Sequence, residues 1–282
     1  LPSGSEDKIP KIIHYCWFGG KKLPDELQEY VNEWKSIYPD FQIMKWDEET
    51  FDINSTIFTR EAYSVQKYAF VADYVRMWAM YQYGLYMDTD IKVLKRIDAY
   101  MHYRFFTAME YHEDNVRLLN IKEKLTPDGF KKNPSDIIRD ICIESSIFAA
   151  EKQHPFIGDC LNYYKDRHFI LSDNSFYDQI IVPVIMGLEA EKYGLRYINE
   201  EQDLKEGMHL LPDEYFTHPS KQTKNTMALH MVKNSWKNYS WEQQIYAKLA
   251  TIQWIKHIYK TLEKNIFIKK LFDKIQKKTW LE

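Results

Sequence analysis

The sequence predicts an α/β domain built on a mainly parallel sheet. Short apolar runs end at Gly or Pro, stretches of helical periodicity separate them, and one run leads directly into a pair of aspartates. The 282 residues are 45% hydrophobic, which excludes a disordered or fibrous chain, and 16% aromatic. With 38 basic and 41 acidic residues the formal net charge is −3, which argues against a surface given over to nucleic acid.

Taken in order, Lys11–Phe18 reads as a buried strand closed by Gly19-Gly20. Pro24 opens a helix to about Tyr38, and Pro39-Asp40 turns the chain into a strand from Phe41 to Trp46. A helix from about Tyr68 to Tyr83 carries Ala72, Val75 and Ala79 on one face, with Gly84 as its C-terminal cap. Leu85-Tyr86-Met87 is a short strand running into Asp88-Thr89-Asp90. Further strands are expected at Phe105–Met109, Ser146–Ala149, Arg196–Ile198 and Met227–Met231, and helices at Pro155–Lys165 and Tyr177–Tyr193. The polar stretch 113–136, with Pro127, Gly129 and Pro134, reads as an insertion or lid. Residues 1–8 are set apart as a tag or disordered lead, and 9–241 as the catalytic domain.

From 242 to 282 nine lysines stand against Glu242, Glu263, Asp273 and Glu282, a net +5 that leaves −8 on residues 1–241. Ile245, Leu249, Ile252, Ile255, Tyr259, Leu262 and Ile266 recur at steps of three and four, so the segment is expected to be a basic amphipathic helix. It would either pack on the domain or lie on an anionic membrane surface. Cys16, Cys142 and Cys160 form no CxxC pair, which fits a reducing compartment. No apolar run approaches the ~18 residues of a spanning helix, and no signal-peptide core is present. The expected location is therefore cytoplasmic, peripheral at the inner face of the cell membrane if the basic helix binds there.

The chemistry centres on Asp88 and Asp90. Carboxylates at i and i+2 of an extended chain address one side, here beyond the C-terminal end of a strand, where open α/β sheets bind ligands. Hard oxygen donors suit Mn²⁺ or Mg²⁺, with a substrate diphosphate completing the shell. A bare DxD arises often by chance, so its neighbours matter. Asp73 and Arg76, three apart on the preceding helix, share a face and read as a partly buried pair lining the same cleft. His14 reads as a satisfied structural histidine. Met77, Trp78, Met80, Trp34 and Trp46 read as packing. Trp17, before the double-Gly turn, reads either as packing or as a platform for a base. Glu144 and Asp178 read as surface acids. No phosphate-binding GxxxxGK[ST] loop and no GxSxG elbow occurs.

The segments Ile9–Gly20, Trp46-Asp47, Ala72–Arg76, Tyr83–Asp90, His154-Pro155 and His230 through Trp236 together resemble the DXD glycosyltransferases of family 32. That family includes capsular polysaccharide sugar transferases and Och1-like mannosyltransferases, and has the GT-A fold. The resemblance implies retaining transfer of a hexose from a nucleotide diphosphate sugar, UDP-hexose such as UDP-galactose before GDP-mannose. The acceptor would be a hydroxyl of a bacterial surface glycan or lipid-linked oligosaccharide. It implies that Trp17 and Phe18 hold the base, and that Asp73 and Arg76 hold the donor sugar. Asp90 would ligate the metal directly, and Asp88 would contact the ribose and the metal through water. His230, with Asn234 or Ser235, would complete the metal shell, and Trp236 would reach the diphosphate. The leaving phosphate would accept the acceptor's proton. One departure bears on the turn before the acidic strand, where the family carries two glycines and this chain has Gly84-Leu85. Two other readings stand beside it. A haloacid-dehalogenase-like phosphatase also uses a DxD with Mg²⁺, although Lys92 stands where that motif wants Thr or Val. A non-catalytic carbohydrate-binding protein would use the aromatics as platforms.

Overall fold

The computed structural model describes residues 8–232; Asn234, Ser235, Trp236 and the basic segment 242–282 lie outside the described residues. The first half of the described chain runs β1 (Ile12–Cys16), α1 (Asp25–Ile37), β2 (Gln42–Trp46), α2 (Ile57–Ser64), α3 (Tyr68–Gln82), β3 (Gly84–Met87), β4 (Ile91–Val93) and β5 (Phe105–Tyr111). The second half runs α4 (Glu113–Leu118), β6 (Ile141–Ile143), β7 (Ile147–Ala150), α5 (Pro155–Tyr163), α6 (Val182–Ala190), β8 (Gln202–Leu204), β9 (Met208–Leu211), β10 (Phe216–Thr217) and β11 (Ala228–His230).

The main sheet has the order β2-β1-β3-β7-β5-β9-β8, with β6 paired to β5. Strands β2, β1, β3, β5 and β9 point one way, while β7 and β8 oppose them, so the sheet is mainly parallel, as the alternating elements predict. Side chains alternate across it. On β3, Tyr86 faces the layer formed by α3, α5 and α6, whereas Leu85 and Met87 face the layer with α1. Both layers are apolar: Val75, Met77 and Met80 of α3, and Leu27, Val31 and Trp34 of α1, are buried. Met77, Met80, Trp34 and Trp46 are thus packing residues, and Trp78 packs against the same core as Trp46. A second, three-stranded sheet, β10-β11-β4, begins where the chain leaves β3. Among the described residues no helix is long and apolar enough to cross a membrane.

Four expectations need correction. Gly84 is not the helix cap: Tyr83 ends α3 at φ 145°, and Gly84, at φ 120°, begins β3. Both therefore carry backbone that L side chains rarely adopt, so a tyrosine stands in a conformation that favours glycine. Arg196–Ile198 forms no strand; the edge strand of that region is β8, which begins at Gln202. Gln202 is instead recruited by the Arg196 loop, its side chain accepting from the Arg196 N–H at 3.0 Å. The helix expected from Tyr177 begins only at Val182, where Pro183 sits in its first turn. Glu144 is buried rather than on the surface, at 8% exposure. The polar stretch 113–136 is the excursion between β5 and β6, which pair antiparallel from Met109↔Ile143 to Tyr111↔Ile141.

Candidate active site

Strand pairing assembles the site at the C-terminal end of β3. The Asp88 N–H continues the β3–β7 ladder by donating to the Ser146 carbonyl at 2.7 Å. The chain then turns through Thr89 and Asp90 into β4, which pairs antiparallel with β11 so that His230 stands opposite Ile91. The Met231 N–H extends that ladder to the Asp90 carbonyl at 3.0 Å. His230 is thereby held next to Asp90, with Nε2 3.4 Å from Oδ1. One ligand atom from each of Asp88, Asp90 and His230 lies within 4.8 Å of the others.

Asp88 is held from the other side as well. Tyr86 Oη donates to its Oδ1 at 2.7 Å, and Arg76 approaches both of its oxygens at 3.4 Å. Arg76, only 7% exposed, also reaches Asp73 Oδ1 at 3.0 Å, donates to the Ser145 carbonyl at 2.9 Å and lies 4.9 Å over the Tyr86 ring. The helix spacing of Asp73 and Arg76 thus becomes a buried cation between two carboxylates. Burial works against the Arg76 charge, but Asp88, Tyr86 and Asp73 hold it protonated. Burial pushes Asp73 up to about 6 against the pull of Arg76. For His230, burial favours the neutral ring, yet the bond to Asp90 and the charges of Glu144, Asp90 and Asp88 hold it at about 9.

Glu144 belongs to this neighbourhood, and its reading as a surface acid is overturned. Its N–H donates to the Ala108 carbonyl at 2.9 Å, and its Oε1 accepts from the Ser146 N–H at 2.6 Å, which fixes the loop between β6 and β7 beside Asp88. Burial and the Glu110 charge push its carboxyl up, while His230 opposes them. Local spacing carries no signal of this; the one hint is an acid directly before an apolar strand. Asp178 accepts from the Gln179 amide at 2.8 Å and joins no site cluster.

The nucleotide side divides. Trp17 is half-buried and donates through Nε1 to the Lys21 carbonyl at 2.7 Å, which fixes its indole beside the double-Gly turn. Phe18 is a core residue, 7% exposed and edge-to-face with Phe51 at 6.5 Å, so its side chain does not offer a face to a base. The Gly19 and Gly20 N–H groups donate to Glu48 Oε1 at 2.6 and 3.1 Å. Ser235 and Trp236, the expected diphosphate contacts, lie outside the described residues.

Hard carboxylate oxygens with one imidazole form a donor set that fits Mn²⁺ and, less well, Mg²⁺. The fit has a second support: His230 is held charged by the surrounding carboxylates, and a divalent cation would take over that compensating charge.

Residues 24–106 match the family model described as glycosyltransferase sugar-binding region containing DXD motif. The matched span holds Asp73, Arg76, Asp88 and Asp90 and ends before Glu144 and His230. Among solved structures, the chain is similar to a PaToxG glycosyltransferase at 14% identity and TM-score 0.42, over 65% of this chain and 69% of that one. It is also similar to a glycosyltransferase involved in the glycosylation of the major capsid of PBCV-1, at 12% identity and TM-score 0.42, over 85% of this chain and 100% of that one. No curated protein matches the chain. The stretch that holds the paired aspartates is thus similar to the sugar-binding region that this family model describes.

Proposed function

We propose that the chain is a metal-dependent, retaining hexosyltransferase that moves a sugar from a nucleotide diphosphate donor, UDP-hexose before GDP-mannose, to a glycan hydroxyl. The observation that carries this reading is the convergence of Asp88, Asp90 and His230 beside the buried Arg76–Asp73 pair. Asp88, Asp90 and His230 would hold Mn²⁺. Bound there, the cation supplies Lewis-acid neutralisation of the departing diphosphate.

The chain's own residues do the rest. Arg76 is fixed by three acceptors, so it enters the reaction with its charge already placed and desolvated. Asp73, 16% exposed in its side chain, keeps a carboxylate edge available to sugar hydroxyls and favours positive charge developing on the ring. Tyr86 holds Asp88 in one orientation. In the transfer, the acceptor oxygen forms a bond to the anomeric carbon, the bond from that carbon to the diphosphate breaks, and the acceptor's proton passes to the leaving diphosphate. Asp88 held by Tyr86 and Arg76 disfavours the phosphatase alternative, which needs its first aspartate free to attack phosphorus.

A thermal-shift panel of UDP-, GDP- and CMP-sugars with Mn²⁺ tests the reading. One nucleotide class should stabilise the protein only when metal is present, by ~2.7 kcal/mol at 100 times Kd. Hydrolysis of an aryl phosphate, or glycan binding with no nucleotide response, would replace it with one of the two alternatives. Asp90→Asn should keep its fold and lose transfer by about 10²–10³-fold, the scale expected for removing one charge-stabilising group. Undiminished activity of that variant would overturn the metal role.

A further inference from the structure

An open groove of about 530 Å³ lies along α3 and α5, and none of Asp73, Arg76, Asp88, Asp90 and His230 lines it. Its volume falls within the ~300–1,000 Å³ of small-molecule sites. Tyr74 and Tyr81, two turns apart on α3, line it together with Asn162, Tyr164, Lys165 and Asp166 at the end of α5 and residues 55–57 at the start of α2. Gly158 keeps the space beside Tyr81 clear, since a Cβ there would come within 3.3 Å of the Tyr81 ring.

Of the polar groups that line this groove, the Thr56 hydroxyl is spent on capping α2, where it accepts from the Thr59 N–H at 3.1 Å, but most of the others are left over. The hydroxyls of Tyr74 and Tyr81, the Asn162 amide, the Lys165 ammonium and the Asp166 carboxylate have no side-chain hydrogen bond or ion pair among the described residues. Asn162, Lys165 and Asp166 are exposed at the lip, whereas Tyr74 and Tyr81 are half-buried. Tyr164 is buried and meets the Tyr74 ring edge-on at 5.7 Å. Tyr74 directly follows Asp73 on α3, so a lining residue of the groove adjoins in the chain the pair assigned to the donor sugar.

A pyranose chain presents flat C–H faces and a rim of hydroxyls that both donate and accept. Phenol rings match the first, and a mixed set of amide, ammonium, carboxylate and phenol groups matches the second. Adjacent charges of opposite sign, Lys165 and Asp166, suit a neutral ligand better than a polyanion. An open groove suits a chain better than an enclosed small molecule.

We propose that the α3–α5 groove binds an oligosaccharide chain, the part of the glycan acceptor that does not react. The acceptor role rests on the transferase reading; carbohydrate binding by the groove stands apart from it.

Saturation-transfer NMR with linear hexasaccharides of glucose, mannose and galactose tests the groove on the full chain. At least one hexasaccharide should receive saturation from the wild-type protein. Asn162→Ala/Lys165→Ala, whose two sites are exposed, should weaken it by about tenfold or more with an unchanged melting temperature. Tyr74→Phe/Tyr81→Phe, which keeps both rings, should weaken it in the same direction. Absence of transfer with all three sugars overturns the proposal, as does equal affinity in both variants. A parallel Mn²⁺–UDP and Mn²⁺–GDP titration of the wild type separates the two readings. Hexasaccharide binding without nucleotide binding keeps the groove and removes the transferase; nucleotide binding without hexasaccharide binding does the reverse.

Discussion

His14 and His230 are the same side chain driven in opposite directions, one beside the start of β3 and the other beyond its end. His14, 2% exposed, stands between two neutral partners: its Nε2–H donates to the Tyr83 carbonyl at 2.8 Å, and its Nδ1 accepts from the Trp46 indole at 3.0 Å. Those partners select one neutral tautomer, and burial pushes the ring down to about 4 although the carbonyl favours the proton. His230 faces carboxylates and is held at about 9. The lower end of the strand pair is built from groups that satisfy one another without charge. The upper end concentrates negative charge that the described chain answers with Arg76 and His230. The difference teaches where stability was placed and where it was given up: buried ion clusters seldom stabilise a fold as well as apolar packing of the same volume.

Three measurements probe that contrast. The largest effect is expected at Gly84, where a Cβ would meet His14 Nε2 at 2.7 Å and the Ile12 carbonyl oxygen at 2.9 Å. Because φ is also 120°, Gly84→Ala should cost about 3 kcal/mol in urea unfolding. A loss below about 1 kcal/mol would show that this end can yield.

The next effect is in pH. His14 titrates near 4 in the folded chain and near 6.5 unfolded, so between these values the unfolded state binds the extra proton. Its contribution to stability is intact above pH 6.5 and falls as pH drops toward 4. By pH 5 the loss should reach about 2 kcal/mol. His14→Gln keeps a donor and an acceptor but cannot take the proton, so its stability difference between pH 7 and pH 5 should be smaller by about that amount. Parallel curves for the two proteins would refute the neutral-core account of His14.

The smallest effect falls at the other histidine. His230→Ala should weaken Mn²⁺ by at least about tenfold, or ~1.4 kcal/mol, in a calorimetric titration with UDP present. The same substitution should shift the melting temperature far less than Gly84→Ala does. Unchanged Mn²⁺ affinity would remove His230 from the metal shell and leave the two aspartates as its ligands among the described residues.

Much of this molecule is legible locally. Helix α3 shows in the recurrence of Ala72, Val75 and Ala79, and α1 in the opening Pro24 and the Pro39-Asp40 turn that follows it. The strand leading to Asp88 shows because apolar Leu85-Tyr86-Met87 ends in acids. The pairing of Asp73 with Arg76 shows because helix geometry alone sets that spacing. These features need only neighbours along the chain. What local spacing does not show depends on partners far away. His230 comes beside Asp90 because β4 and β11 share a register, and motif resemblance rather than spacing drew attention to it. Glu144 is buried because the loop after β6 folds under the end of β3, so its reading as a surface acid failed. Phe18 packs on Phe51, so the aromatic next to Trp17 belongs to the core.

The residue pattern alone carries the α/β class, the run from β1 through α1 and β2 and from α3 into β3, and the paired aspartates at a strand end, because periodicity and turn chemistry act within a few residues; it gave no sign of α2 or β9. Long-range packing sets Arg76 as a desolvated cation between Asp73 and Asp88, closes Tyr83 and Gly84 against His14, and leaves a groove along α3 and α5. The physical reason is that charge state, desolvation and surface shape depend on which groups meet across the fold, and sheet register rather than local sequence chooses those meetings.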